Sequence, residues 1–510
     1  GGHSLLAAEL AGRLQKLGYA RPPLRLLFES PSPRALAARL DTAAIAEAPL
    51  PRRADRSRAP LSAVQAGLWY LECRSEDPRV NLLPSAHRLV GALDRDCFET
   101  ALRALIARQP ALRTVLAVSS EGVEQRVLDN VNLALGFADL SAAADPEAAA
   151  LEAANALQAE PIDLRQGPPF RAALLRIGEN THVFVFVVHH LVWDGWSFDL
   201  LYTELAELYA AALEGRSPHL PALGLDYGDF AAWQQAQLAA GRWEAAIRHW
   251  QQRLLPLPAP LQLYAEGPRP EPLSGAGDSL LLRLPPSEVD ALHALARRHG
   301  TTLFVLLLAT WAEALARIGG REDLILGLPV RGRERPELLP LMGCFVNAVP
   351  LRLQTRSGAL DAWLGVVHAR LAEALGQAEL PLDVLVPALR RAGAASERAL
   401  FDCLFSFQDA RDRVNHWGPL AHRRFDMPVR NSAYPLGLWC VETDAGLELL
   451  FNYSTDLFTH ERIAGWAEAY AARLRRWLGD ASSLSDPPAS STPAADSIAA
   501  QVRLTPAAGG

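Results

Sequence analysis

Between residues 61 and 480 the sequence alternates helix-like and strand-like apolar patterns, and this alternation limits the chain to a few architectures. Thr181–Val188 is a largely apolar run typical of a buried strand, and Ser197–Gly215 has the spacing of an amphipathic helix. Later strands are predicted at Leu324–Leu328 and Leu447–Tyr453. A mixture of this kind indicates an α/β or α+β fold built in layers.

The length of this region, roughly 420 residues, exceeds that of one compact domain. We therefore expect two lobes, residues 61–235 and 236–480, with a crossover near 235–275. Ser62 and Gln65 have the spacing of a capping box, which predicts a helix at the start of the first lobe.

Segments of different composition flank this region. Residues 1–42 predict a small helical unit in which Ser4 is an N-cap and a second helix starts at Pro33. Residues 43–60 are rich in Pro, Arg and Ala without apolar periodicity, which is typical of a linker. Residues 481–510 are rich in Ser, Ala and Pro and predict a flexible tail or an interdomain linker.

The charge and cysteine content argue against several classes of protein. The net charge is −7 and no basic run stands out, so we expect no nucleic-acid partner. The five cysteines lack any C-x-x-C pair, so we expect neither a metal site nor a disulfide framework. The apolar run Val183–Val188 is too short to cross a bilayer, and no signal peptide is recognisable. We therefore expect a cytoplasmic location and no membrane contact.

The sharpest chemical signal is a double histidine between the predicted strand and the predicted helix. His189 and His190 are followed by Asp194 and Gly195 in the string HHLVWDGWS. Adjacent side chains on a strand face opposite sides, so only one of the two histidines faces a given cavity. The positive end of the helix that begins near Ser197 favours a neutral imidazole, which can accept a proton or orient a nucleophile. From these residues alone, core packing or metal binding remains an alternative.

A set of motifs in a fixed order gives this string a context. The chain resembles the condensation domains of nonribosomal peptide synthetases, which share ancestry with chloramphenicol acetyltransferase. The resemblance covers residues 60–480 and rests on HHLVWDGWS together with LSAVQAGLWYLE, ARQPALRTVL, YGDFAAW, LGLPVRGRERPE, MGCFVN, ELPLDVLV and ALFDCLFSFQD.

The resemblance implies two acetyltransferase-like lobes arranged in a V, with a tunnel that donor and acceptor enter from opposite faces. His190 would lie where the substrates meet, and His189 would be structural. Asp194 would pair with Arg333 and hold the loop. The Gly195 amide would donate to the developing oxyanion.

The residues around this motif are expected to shape the tunnel. The residues implied as tunnel lining are Trp193, Trp196, Ser197, Gly343, Phe345 and Asn347. Arg113, in the second motif, is expected to form a structural ion pair rather than to contact substrate.

The start of the chain carries a second resemblance. GGHSL followed by LFESPSPRALAARL resembles the core of a peptidyl-carrier domain, in which Ser4 would carry 4′-phosphopantetheine. The family's carrier has a further helix before this motif, so residues 1–42 would be a partial carrier that is modifiable only in a longer parent. The implied partners are an upstream and a downstream carrier domain bearing acyl or aminoacyl thioesters, and an adjacent adenylation domain.

The resemblance implies amide bond formation between two carrier-bound substrates. An epimerisation domain shares the histidine motif, but we find no convincing counterpart of its additional glutamate motif. Cyclisation domains carry two aspartates in place of the histidines. Ester formation with a hydroxyl acceptor uses the same site and stays open, and a non-enzymatic recruitment platform on the same fold is a further alternative.

Overall fold

The computed structural model describes residues 14, 33–40, 49–120, 122–263, 270, 272–355, 359–394, 399–411 and 413–479. Ser4 and almost all of the predicted first helix lie outside these ranges, as does the predicted tail 481–510. Of the predicted small helical unit, the structure gives the short second helix, which begins at Pro33.

Helices and strands alternate along the described chain, as the sequence pattern predicts. The helices are α1 Pro33–Ala37, α2 Ala63–Arg74, α3 Arg95–Arg108, α4 Pro146–Ala159, α5 Gly195–Glu214, α6 Tyr227–Ala239, α7 Glu244–Leu254, α8 Pro286–Arg298, α9 Leu303–Gly319, α10 Leu360–Leu375, α11 Leu382–Arg391 and α12 His460–Gly479. The strands are β1 Arg58–Pro60, β2 Leu82–Val90, β3 Thr114–Ser119, β4 Gly122–Val127, β5 Leu135–Asp139, β6 Phe170–Gly178, β7 Thr181–His189, β8 Gly277–Leu284, β9 Asp323–Val330, β10 Asn347–Gln354, β11 Cys403–Asp409, β12 His416–Trp417, β13 Leu420–Arg424, β14 Leu436–Thr443 and β15 Gly446–Ser454.

Two six-stranded mixed sheets organise the chain. The first has the order β12-β13-β2-β7-β6-β5, and the second has the order β10-β9-β11-β14-β15-β8. Helices α3 and α5 pack on each other beside the first sheet, and α9 packs on α10 and α12 beside the second. Each sheet has its own apolar core, and a smaller cluster around Tyr227 and Phe345 lies apart from both.

The predicted boundary between the two lobes at residue 235 does not fully match the strands that form the two sheets. Strands β12 and β13 lie within the second half of the sequence, yet β13 pairs with β2 in the first sheet, with Arg424 opposite His87. Trp417 of β12 is completely buried in the first core. The apolar surface of Trp417 explains the crossing, because burying such a ring is strongly favourable.

The predicted linker 43–60 is wrong in its last part. Strand β1 pairs with β4, with Ala59 opposite Gln125. Arg53 contacts the carboxylates of Asp226 and Asp229 at 2.9 and 3.1 Å. These two carboxylates also cap helix α6, so they hold the arginine from buried positions.

The local predictions around the double histidine differ from the structure at two element ends. Strand β7 ends at His189, one residue beyond the predicted end. Helix α5 begins at Gly195 with Asp194 as N-cap rather than near Ser197, because the Asp194 carboxylate accepts a hydrogen bond from the Ser197 amide. The predicted capping box of Ser62 and Gln65 is present at the start of α2.

Within the described ranges, none of the helices alone combines the length and the apolar composition needed to cross a bilayer. In the described part of the chain, α8 and α9 taken together, bent by 94° at their junction, meet those criteria.

Candidate active site

His190 opens a short 3₁₀ turn between strand β7 and helix α5. Its backbone amide donates to the Asn81 carbonyl at 2.7 Å, and its ring Nδ1 lies 2.7 Å from the Trp193 carbonyl oxygen. A carbonyl only accepts hydrogen bonds, so Nδ1 carries the hydrogen and Nε2 keeps its lone pair. Burial lowers the pKa of His190, which favours this neutral form. His190 as a residue is partly exposed, and Nε2 is the basic atom of its ring.

His189 faces the other side of the strand and is completely buried. Its Nδ1 accepts the Leu191 amide at 3.1 Å, and its Nε2 lies 2.7 Å from a carboxylate oxygen of Glu72 on helix α2. Both nitrogens thus lie within contact distance of protein atoms. The ring ties α2 to the end of β7, next to His190.

Asp194 and Arg333 form a buried bidentate pair below the turn. Arg333 Nη1 lies 2.6 Å from Asp194 Oδ2, and Nη2 lies 3.1 Å from Oδ1. The Asp194 side chain is 2% exposed and the Arg333 side chain is 0% exposed. The Phe345 amide also donates to Asp194 Oδ2, and the Arg333 guanidinium lies over the Phe345 ring at 4.2 Å. The carboxylate therefore joins helix α5 to segments of the second half of the chain.

Ser197 and Tyr227 complete this anchorage. The Ser197 hydroxyl contacts the Asp194 carboxylate at 2.8 Å and both the amide and the carbonyl of Gly343 at 3.1 Å. The Tyr227 hydroxyl donates to the Cys344 carbonyl at 2.6 Å. The Cys344 sulfur lies 3.7 Å from His190 Nδ1, so the segment 343–345 lies directly beside the histidine.

Gly195 is the exposed first residue of helix α5. A Cβ atom added here would meet a single neighbour within 4 Å, the amide nitrogen of Gln408 at 4.0 Å. The first amides of a helix lack intrahelical acceptors, and together they form its positive end. The backbone at Gly195 is therefore open to a ligand with a developing negative charge.

A comparison with known protein families shows which family this chain resembles. Residues 55–490 match the model of the condensation domain family. The chain belongs to this family. It is an acyltransferase-type domain of the kind found in nonribosomal peptide synthetases.

The relatives of this condensation domain include large multidomain synthetases. The chain is 34% identical over 500 residues to the dimodular nonribosomal peptide synthase of Bacillus subtilis (strain 168), covering 95% of this chain and 20% of the relative. It is 32% identical over 492 residues to malpibaldin synthetase of Mortierella alpina, covering 93% of this chain and 9% of the relative. The chain thus spans only a small part of these relatives.

Solved structures of the same architecture confirm the predicted fold. The X-domain from teicoplanin biosynthesis is 26% identical with a TM-score of 0.73, covering 85% of this chain and 98% of that chain. The first condensation domain of the CDA synthetase has a TM-score of 0.74 at 23% identity, covering 83% and 97% of the two chains. The mixed two-lobed, acetyltransferase-like fold is therefore confirmed. The similarities do not favour the epimerisation or ester-forming alternatives.

Several residues expected to line the tunnel belong to the packed interior instead. Trp193 is 0% exposed and packs against Phe186 and Phe198, with ring centroids 5.6 Å apart in each case. Ser197 is equally buried. A side chain without accessible surface cannot face a water-filled passage, so these two expectations are wrong.

Gly343 and Phe345, which were also expected to line the tunnel, are buried as well. A Cβ atom at Gly343 would lie 2.2 Å from the Tyr227 ring, so this glycine allows close packing. Phe345 packs against Tyr227 with ring centroids 4.7 Å apart. The two residues support the Asp194 anchorage rather than a tunnel wall.

Trp196 and Asn347 are partly exposed. The Trp196 indole donates to the Leu339 carbonyl at 2.9 Å, and the guanidinium of Arg331 lies 3.9 Å from its ring centroid. The Asn347 amide donates to the carbonyls of Ala378 and Leu380 at 2.9 and 2.7 Å. Tunnel lining stays a prediction for these two residues.

Arg113 makes contacts of another kind than expected. Its guanidinium donates to the backbone carbonyls of Ile106, at 3.1 Å, and of Leu128, rather than closing on a carboxylate. The side chain therefore fixes the end of helix α3 against the segment after β4. The expected ion pair is replaced by hydrogen bonds to the main chain.

Three residues that the sequence did not connect with the histidine motif support the histidine turn. Gln65 donates to the Leu191 carbonyl at 3.0 Å in addition to its capping role. Glu72 contacts His189, and Asn81 holds the His190 amide. Gln65 had a local signal as a capping residue, whereas the other two contacts depend on how α2 and β2 pack in three dimensions.

Within the described residues, no group of three or more His, Cys, Asp or Glu side chains has a metal-binding arrangement. Ser4 lies outside the described residues. The arrangement around His190 offers a neutral base and an exposed helix N-terminus on a firmly anchored loop, which suits acyl transfer.

Proposed function

We propose that this domain transfers a donor acyl or peptidyl group from the thioester of an upstream carrier domain to the amine of an aminoacyl acceptor on a downstream carrier. The observation that carries the proposal is the His190 ring, whose Nδ1 is hydrogen-bonded to the Trp193 carbonyl and whose Nε2 is therefore an unprotonated acceptor. The exposed Gly195 backbone begins the helix shortly after this turn ends.

The reaction forms one bond and breaks another. The acceptor nitrogen attacks the thioester carbonyl carbon, the C–N bond forms and the C–S bond breaks. His190 Nε2 accepts a hydrogen from the nitrogen as its positive charge develops, and that proton leaves with the thiolate. An α-amine has a reference pKa of about 8, so part of it is already neutral, and orientation by Nε2 supplies much of the acceleration.

Charge on the carbonyl oxygen develops during this attack. The Gly195 amide at the positive end of helix α5 would donate to that oxygen. His189, Asp194 and Arg333 would act indirectly, since their contacts hold the turn and the helix start in place.

The carrier domains and their prosthetic group belong to the same proposal. Ser4 would be the attachment point of 4′-phosphopantetheine in residues 1–42, which would then be part of the donor carrier. An adenylation domain would load the acceptor. The size of the relatives, of which this chain covers 9% and 20%, supports a role within a larger synthetase.

The carrier proposal has its own test. A chain extended at its N-terminus by its parent sequence is incubated with coenzyme A and a phosphopantetheinyl transferase, and intact mass is recorded. One phosphopantetheine should be added, and Ser4→Ala should abolish the addition. A wild-type chain that stays unmodified would refute the role of Ser4.

The condensation proposal is tested with donor and acceptor loaded on separate carrier proteins and the product released for mass spectrometry. His190→Ala should lower the single-turnover rate about 10²- to 10⁴-fold, the usual contribution of a positioned acid–base group. His219→Ala, at an exposed histidine of the same lobe, should leave the rate unchanged. Wild-type turnover by His190→Ala would end the assignment.

A further inference from the structure

Asn431 lies in the second half of the chain, and its side chain contacts the first lobe. Its amide nitrogen lies 2.7, 3.0 and 2.9 Å from the carbonyl oxygens of Arg79, Val80 and Leu82. These carbonyls belong to the turn that leads into strand β2. The uncharged side-chain amide of Asn431 thus contacts three carbonyl oxygens of one turn, and this turn is distant from Asn431 in sequence.

The remaining carbonyl of that turn points to the candidate active site. The Asn81 carbonyl accepts the backbone amide of His190 at 2.7 Å. The Asn81 side chain donates to Glu72 at 3.0 Å, and the same Glu72 oxygen lies 2.7 Å from His189 Nε2. The turn 79–82 is therefore held by Asn431 on one side and holds both histidines on the other.

Asn431 itself is fixed within the second lobe. The Asn431 carbonyl accepts the side-chain amide of Asn452 on β15 at 3.0 Å. A Cβ atom at Gly277 would lie 2.6 Å from the Asn431 carbonyl carbon, so the two backbones are in close contact. Gly275, at φ +88°, brings its own backbone against Val80. We call Asn431 and the turn 79–82 the interlobe clasp.

We propose that Asn431 is a positioning residue for condensation, which sets the location of His190 by holding the turn whose Asn81 carbonyl binds the His190 backbone. This inference rests on the proposed function of His190. The clasp makes the place of the histidine depend on how the second lobe sits against the first. Since catalysis by orientation is sensitive to displacements of about 1 Å, loosening the clasp lowers the rate without removing any group that touches substrate.

The chemistry of the clasp determines which variants are informative. Asn431→Ala removes the donors that serve the three carbonyls. Asn431→Asp keeps the shape but places a negative charge against those acceptors, so it should be the more damaging change. A matched control is Gln158→Ala, because the buried Gln158 amide donates to the Pro428 carbonyl at 3.1 Å, a contact that is also remote in sequence and does not involve the turn 79–82.

The experiment combines kinetics with histidine NMR on the full chain. Asn431→Ala should lower kcat about 10- to 100-fold with little change in the KM for either carrier substrate, while Gln158→Ala keeps kcat within about twofold. The ¹³Cε1 signal of His190, assigned by its loss in His190→Gln, should shift in Asn431→Ala and stay in place in Gln158→Ala. Denaturant unfolding shows whether either variant has lost its fold.

The outcomes separate this inference from the proposed function. An unshifted His190 signal in folded Asn431→Ala would overturn the positioning role, as would an unchanged kcat or an equal loss of kcat in Gln158→Ala. If Asn431→Ala does not fold, Asn431→Gln and Asn431→Ser take its place, and wild-type kcat and signal in both would be equally negative. Full turnover by His190→Ala would refute the proposed function, whereas the NMR comparison would still report on the clasp.

Discussion

Arg333 reaches Asp194 through two nitrogens, at 2.6 and 3.1 Å, although 139 residues separate them in sequence. Both side chains are almost free of solvent contact. A buried ion pair adds little net stability compared with an apolar pair, but removing one partner leaves an uncompensated charge in the interior. The pair therefore makes the fold strongly dependent on each of its members.

The first prediction concerns this dependence. Asp194→Ala should lower the free energy of unfolding by about 3–5 kcal/mol and reduce the yield of folded protein as well as amide formation. The double variant Asp194→Ala with Arg333→Met should lose less stability than Asp194→Ala alone, because no buried cation remains. Urea unfolding measures both. Unchanged stability in Asp194→Ala would show that the pair is not structural.

The second prediction concerns the ionisation of His190. Burial is the largest influence on this ring and lowers its pKa below the usual 6.5. The imidazole should therefore be mostly unprotonated at pH 6.5 and become mostly protonated only at a lower pH. A titration followed by the ¹³Cε1 signal measures this pKa directly. A His190 pKa above 6.5 would contradict the proposed base.

Much of the candidate catalytic segment could be predicted from local sequence. An apolar run followed by HHLVWDGWS predicted the strand, the turn and the helix in the right order, because each depends on neighbours within a few residues. The partner Arg333 came from the family resemblance, since an ion pair between distant residues leaves no local pattern. The contacts of Glu72 and Asn431 were missed for the same reason.

The residues expected to line the tunnel show a different limit of prediction from sequence. Trp193 lies three positions after His190, and closeness in sequence suggested that it shares the same cavity. The 3₁₀ turn rotates the backbone between the two, so His190 stays partly exposed as a residue while the Trp193 ring enters the first core against Phe186. Which face a loop residue presents is decided by packing with distant segments.

The third prediction concerns acid stability. His422 of β13 stacks on His87 of β2, with ring centroids 4.3 Å apart, beside Tyr202 and Trp417. Burial lowers the pKa of His422 to about 4 and that of His87 well below 6.5, and Arg413 and Arg424 lower the pKa of His87 further. At these two histidines the unfolded chain therefore binds more protons than the folded chain between pH 6.5 and 4. Their contribution to stability is full above pH 6.5 and decreases as the pH falls through that window.

His422→Asn tests this directly, because it cannot titrate yet keeps a donor for the Val414 carbonyl. The wild type should lose on the order of 1–3 kcal/mol more than the variant between pH 7 and 4.5, as measured by urea unfolding at several pH values. His416→Asn, at an exposed position in the same hairpin, should retain the wild-type slope. Identical slopes for wild type and His422→Asn would rule out this source of acid sensitivity.

The fourth prediction compares two glycines with the same backbone conformation. Gly332 and Gly215 both have φ of +64°, where a Cβ atom costs about 1 kcal/mol or more. Around Gly215, nothing lies within 4 Å of an added Cβ, so Gly215→Ala should cost only that amount and leave activity unchanged. At Gly332 the Cβ would lie 1.8 Å from the Phe345 carbonyl oxygen, so Phe345 must move.

That movement reaches the site, because the Phe345 amide donates to Asp194 at 2.9 Å and Asp194 caps the helix that begins at Gly195. Gly332→Ala should therefore lower the free energy of unfolding by about 2 kcal/mol more than Gly215→Ala does, the size expected for a buried charged hydrogen bond. It should also slow amide formation. Urea unfolding and single-turnover assays on the two variants decide the matter. If Gly332→Ala and Gly215→Ala lose equal stability and form amide at equal rates, the segment 343–345 must move without disturbing Asp194.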